Sequence, residues 1–118
     1  MPGVNAPPRV EFLWWEGCPS SDEALAELRE EMAAVGLDPE SVVVREINTE
    51  ADAEQAEFVG SPTIRVNGRD VQPPGDDPVG LTCRVYRLRD GRVSALPDRG
   101  DVRAGLVAAM EGGDDGRS

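Results

Sequence analysis

Gly17-Cys18-Pro19-Ser20-Ser21 closes an apolar run and opens a helical one, and Ser61-Pro62-Thr63 opens a later apolar run after a second helix. Upstream of the cysteine, Arg9–Trp15 (RVEFLWW) is apolar and aromatic and predicts a strand with a well-buried face. Downstream, Pro19 suits a first helical turn, where its missing N–H costs nothing, and Asp22 and Glu23 are the acids such a turn favours. Leu25, Leu28, Met32 and Val35 then recur at steps of three and four, the stripe of an amphipathic helix, and Gly36 is its left-handed stop.

Ser41–Ile47 (SVVVREI) is a β-branched run and predicts a second strand. Thr49 with Asp52 resembles a capping box and starts a short helix, Glu50–Phe58, stopped by Gly60 and Pro62. Thr63–Val66 predicts a third strand and Asn67-Gly68 a turn. Val71–Val79 is rich in proline and aspartate and reads as loop. Thr82–Leu88 (TCRVYRL) alternates and predicts a fourth strand, and Asp90-Gly91 another turn. Asp98 or Asp101 caps a last helix that places Val102, Leu106 and Met110 on one face. A strand on each side of the first helix implies a parallel βαβ unit. The turn-connected later strands add an antiparallel part. The expectation is an α/β domain: a mixed four-stranded sheet with helices on both faces.

The chain has 118 residues, one domain by length. A chain of this size buries about two thirds of its unfolded surface, so its two cysteines are not needed as a scaffold of staples. The reading divides it into a Pro-rich arm at 1–8, a domain at 9–111 and an acidic tail at 112–118. Met1–Pro8 has neither the basic start nor the apolar run of a signal peptide, and no stretch has the length of a membrane span. The expected compartment is the cytoplasm. A net charge of −11 argues against a nucleic-acid surface and disfavours anionic membranes. All twelve basic residues are Arg, which a GC-rich genome explains. The absence of histidine removes Cys-His and Ser-His-Asp catalysis and the commonest transition-metal ligand. No cofactor and no metal are expected.

The chemistry centres on Cys18. A cysteine at a helix start faces unpaired N–H groups that stabilise its thiolate. The hydroxyls of Ser20 and Ser21 are further donors, while Glu16, Asp22 and Glu23 oppose the negative sulfur. The bland alternative is a half-buried cysteine filling space under the sheet. Ser21 stands where a Cys-x-x-Cys motif would carry its second sulfur. Either an external thiol resolves a mixed disulfide, or Cys83 does. Cys83 reads equally as a small apolar strand residue. Pro62 marks a strand start, with a trans proline that stops the helix as the plain alternative. Trp14 and Trp15 must point to opposite faces of their strand, so one packs inward and the other is free to shield the thiol.

Across about residues 9–110 these features resemble the thioredoxin-like superfamily. The runs GCPSSDEALAELRE, VGSPTIRVNGRDV and PVGLTCRVYR are similar to a group of small bacterial thioredoxin-family proteins, some of which carry the label alkylmercury lyase. The resemblance implies a cis Pro62 whose neighbour Ser61 offers unpaired backbone to an extended substrate, and a role for Cys83 beyond packing. It implies a thiol–disulfide oxidoreductase acting on protein or small-molecule thiols and disulfides. The candidate catalytic residues are Cys18, Ser21 and Cys83, with Cys18 as nucleophile and Cys83 as the resolving thiol. Trp15, Pro19, Ser61, Pro62 and Thr63 are the candidate substrate contacts. Two alternatives stand beside it: a soft-metal or organomercurial site of Cys18 and Cys83, and a non-catalytic module that binds a partner by its Trp-rich face or its proline edge.

Overall fold

The structure, a computed structural model, describes residues 7–73 and 78–111. The acidic tail, most of the N-terminal arm and part of the Val71–Val79 loop lie outside the described residues. The chain is mixed α/β. Strand β1 (Val10–Trp14) leads through the Cys18 turn into helix α1 (Ser21–Ala34). A short 3-10 turn, Pro39–Ser41, precedes β2 (Val43–Glu46). Helix α2 (Glu50–Ala56) connects to the hairpin of β3 (Thr63–Val66) and β4 (Arg69–Asp70). A second hairpin, β5 (Tyr86–Arg87) with β6 (Val93–Ser94), leads to α3 (Arg99–Met110).

The four-stranded sheet has the order β2-β1-β3-β4. β1 runs parallel to β2, with Phe12 opposite Val44, and antiparallel to β3, with Phe12 opposite Ile64. Alternation along β1 then sends Val10 and Phe12 to one face and Leu13 to the other. Val10, Phe12, Ile64 and Val66 meet Ala24, Leu28 and Met32 of α1 and Val102 and Leu106 of α3. Leu13 meets Ile47, Ala53, Ala56 and Phe58 on the α2 side. Helices thus cover both faces. Each fully buried side chain of this kind contributes about 1.5–3 kcal/mol, and Phe12→Ala would cost roughly 3–5 kcal/mol through the cavity it leaves.

The stop of α1 and the starts of α2 and α3 follow their sequence signals. The Gly36 amide donates to Ala33 and the Leu37 amide to the Met32 carbonyl, with Gly36 at φ +89°, a Schellman stop. Thr49 caps α2 by accepting from the Asp52 amide at 3.0 Å. Of the two aspartates considered for α3, Asp98 is the cap, accepting from the Gly100 amide at 2.7 Å. The start of α1 is corrected: it begins at Ser21 after Ser20, which makes no side-chain cap, so Cys18 and Pro19, expected at the helix start and in its first turn, lie in the turn before it. The buried stripe of α1 is Ala24, Leu28, Glu31 and Met32, with Leu25 and Val35 only partly buried. Helix α2 ends at Ala56 because Glu57 takes a left-handed conformation, φ +54°, that turns Phe58 back into the core.

One expected strand is corrected. The fourth strand of the sheet is Arg69–Asp70, the return arm of the Asn67-Gly68 turn. Thr82–Leu88 is instead a bridge at Cys83 followed by the short strand β5, outside that sheet. Its alternation is real but has an unexpected sense: Arg84 and Tyr86 point inward, while Cys83 and Val85 face solvent. Pro8, expected in a loose arm, is buried.

Candidate functional site

Cys18 sits in a tight turn after β1, its amide donating to the Trp15 carbonyl at 3.1 Å. It is only 4% exposed. A disulfide joins it to Cys83, with a Cα–Cα separation of 5.7 Å across 65 positions of sequence. That span lies within the usual disulfide range. The Cys83 Sγ lies 3.9 Å from the Gly17 carbonyl, and Cys83 itself is exposed.

Three segments converge on this bond. The first is the Cys18 turn. The second is Ser61-Pro62-Thr63, joined by a cis Ser61–Pro62 peptide. The third is Thr82–Arg84. The Ser61 amide donates to the Thr82 carbonyl at 2.8 Å, and the Arg84 amide donates to the Ser61 carbonyl at 2.9 Å. Cys83 is therefore held opposite Ser61 in a parallel bridge. Gly60, at φ +137°, allows the approach: a Cβ there would lie 3.1 Å from the Arg84 backbone. The unpaired Ser61 backbone expected from the sequence is corrected accordingly, because the chain's own Thr82–Arg84 segment fills it. Ser61, Pro62 and Thr63 are all buried.

Side chains lock the third segment. The Arg84 guanidinium is buried and donates to Asp70 Oδ2 at 2.7 Å, to Thr63 Oγ1 at 3.3 Å and to the Gln72 carbonyl. It also lies over the Tyr86 ring, 4.5 Å from the centroid. Burial pushes the Tyr86 phenol far above its ordinary range, so it stays neutral and donates to the Pro62 carbonyl at 2.5 Å. A buried cation is tolerable only when paired and hydrogen-bonded, and Arg84 is both. Sequence reasoning missed Arg84, Asp70 and Tyr86. The available signal was the arginine placed in register with tyrosine on one side of the alternating run.

The remaining candidates fall around the bond. The Ser21 hydroxyl donates to the Cys18 carbonyl at 3.3 Å and lies 3.1 Å from Ser61 Oγ, which accepts from the Trp15 amide at 3.0 Å. These bonds fix the shape of the turn and are directed at its backbone, not at the sulfur. Trp15 packs beside the α2-side core with its ring against Gly17, where a Cβ would come within 2.4 Å of it. Trp14 packs against the α1–α3 side, so the two indoles take opposite faces as the alternation requires. Pro19 is exposed.

A cleft of about 280 Å³ borders the disulfide on the Cys83 side, lined by Val59, Pro78, Thr82, Arg84 and Val85 with Cys83 itself. A larger open cleft of about 850 Å³, edged by Arg45, Arg65 and Arg69, contains neither cysteine. Among the described residues no three His, Cys, Asp or Glu side chains are gathered for a metal, and no helix is long and apolar enough to cross a membrane. No family model, no curated protein and no solved structure matches the chain.

Proposed function

We propose that this chain is a thioredoxin-like thiol–disulfide oxidoreductase whose redox couple is Cys18 and Cys83. The observation that carries the reading is the disulfide itself. It joins the turn that opens α1 to a segment pinned by hydrogen bonds beside a cis proline. The order of elements supports it: strand, cysteine turn, helix, strand, helix, then an antiparallel hairpin that starts at Ser-Pro-Thr. The second sulfur that Ser21 does not supply comes from Cys83, far along the chain. Arg84 and Tyr86 keep that sulfur in place by contacts that do not involve it, so the pair stays within reach after reduction. Such pre-positioning gives an intramolecular thiol a large effective concentration.

The reaction is a dithiol–disulfide exchange. The reduced protein and a substrate disulfide give the Cys18–Cys83 disulfide and two substrate thiols. Two electrons pass to the substrate sulfurs and the two protein thiol protons follow. The exchange proceeds through a mixed disulfide between protein and substrate. Partners are protein or small-molecule thiols and disulfides, and the site of action in this reading is the cytoplasm.

The test is equilibration in glutathione buffers with mass mapping. The expected result is one two-electron couple that closes the Cys18–Cys83 bond without net addition of glutathione. Cys18→Ser and Cys83→Ser should each abolish catalysed disulfide reduction. Turnover unchanged in either variant would overturn the assignment.

A further inference from the structure

We infer that partner sulfur reaches the couple at Cys83, from the cleft of Val59, Pro78 and Val85, and that buried Cys18 is the sulfur released inside. The inference rests on the redox reading above and inverts the roles expected from sequence, where Cys18 meets the substrate and Cys83 resolves.

Access decides it. A thiolate must approach a disulfide sulfur along the line of the bond it breaks, so the sulfur that is open to solvent is the one attacked. Cys18 is 4% exposed. It lies in the turn that carries the Trp15 ring against Gly17, with Ser61 bonded to both Trp15 and Ser21. Cys83 is exposed and forms part of the wall of the 280 Å³ cleft, which Cys18 does not line. That volume lies just below the range of sites for drug-sized molecules, and suits a small thiol or one cysteine of an extended peptide.

Val59, Pro78 and Val85 give the cleft an apolar wall, and Val85 is 66% exposed with no core role. The inferred ligand is therefore a thiol, or a disulfide in the reverse direction, with an apolar rather than cationic neighbourhood.

The step balances. The incoming thiolate bonds to Cys83 Sγ, the Cys18–Cys83 bond breaks, and its electron pair leaves on Cys18 Sγ. A second thiolate then attacks the partner sulfur of the mixed disulfide, which releases the partner disulfide and Cys83 as thiolate. Read backwards, Cys83 opens a substrate disulfide and Cys18 closes the ring from within.

The experiment adds 2-mercaptoethanol to oxidised protein for a series of short times, quenches with N-ethylmaleimide, and maps both cysteines by mass. The expected early product carries mercaptoethanol on Cys83 and maleimide on Cys18. The opposite pattern overturns the inference and leaves the redox couple standing. Protein that never forms the Cys18–Cys83 bond overturns the couple, and the inference with it. The second measurement uses Val85→Asp and Val85→Arg. A unit charge roughly 7 Å from the attacking sulfur in water changes the rate about threefold. The aspartate should slow the opening of the disulfide by thiolate and the arginine should speed it. Equal rates in all three proteins would show that the attacking thiolate does not pass through this cleft.

Discussion

Cutting the cross-link should lower stability by an amount set almost wholly by the unfolded chain. Cys83→Ser opens a loop of 65 positions, for which the chain-entropy relation gives about 14.5 cal/mol/K, or roughly 4.3 kcal/mol at 25 °C. The folded side of the balance changes little, because the Arg84–Asp70 pair and the Tyr86–Pro62 hydrogen bond still hold the segment beside Ser61. A domain of this length has a total stability of roughly 6–18 kcal/mol, so the variant should still fold. With an unfolding entropy of about 2.1 cal/mol/K per residue, the melting temperature should fall by roughly 15–20 °C. Urea unfolding followed by the fluorescence of Trp14 and Trp15 measures it, with and without dithiothreitol. Oxidised wild type should exceed reduced wild type by about 4 kcal/mol, and Cys83→Ser should match the reduced protein and ignore the reductant. Coincident curves for oxidised and reduced wild type would refute the reasoning, as would a variant that still responds to dithiothreitol.

Tyr86→Phe leaves the buried Pro62 carbonyl without its donor, which should cost about 1–3 kcal/mol in urea unfolding with the disulfide intact. Arg84→Met strands Asp70 and should cost about 3–5 kcal/mol, and adding Asp70→Asn should recover part of it, since the stranded charge is then gone. Burial alone would raise the Glu31 carboxyl, but hydrogen bonds from Arg103 at 2.7 Å and Arg99 at 2.9 Å outweigh it and hold the group below its ordinary range. A carboxyl lowered by folding stabilises above its unfolded value and loses that contribution as pH falls through its folded value. Glu31→Gln should therefore cost about 1 kcal/mol at pH 7, with a gap to wild type that closes below about pH 4 in thermal melts. Gly60→Ala forces a side chain onto a backbone at φ +137° and against Arg84, so it should loosen the Cys83 bridge and speed reduction of the disulfide.

The local elements were legible because their causes are local. Periodicity marks α1, the Thr49 and Asp98 side chains mark helix starts, and Gly36 marks a helix stop. The grouping of Cys18 with Ser61, Pro62 and Thr63 followed from the thioredoxin-like resemblance. The sheet's fourth strand was not legible. The fourth strand was assigned to Thr82–Leu88 because that run alternates, yet pairing within the Asn67-Gly68 hairpin is closer in sequence and takes the place beside β3.

The chain by itself determined where three helices lie, which faces are apolar, and that a cysteine turn joins β1 to α1. Only the tertiary structure decided that Arg84 turns inward to Asp70, that Thr82–Arg84 fills the Ser61 edge, and that Cys83 meets Cys18 with its own face to solvent. The physical reason is one of range. Capping, periodicity and turn chemistry act over a few residues and are written in order along the chain. A buried charge chooses its side by the partner it finds, and that partner lies 14 positions away on another hairpin.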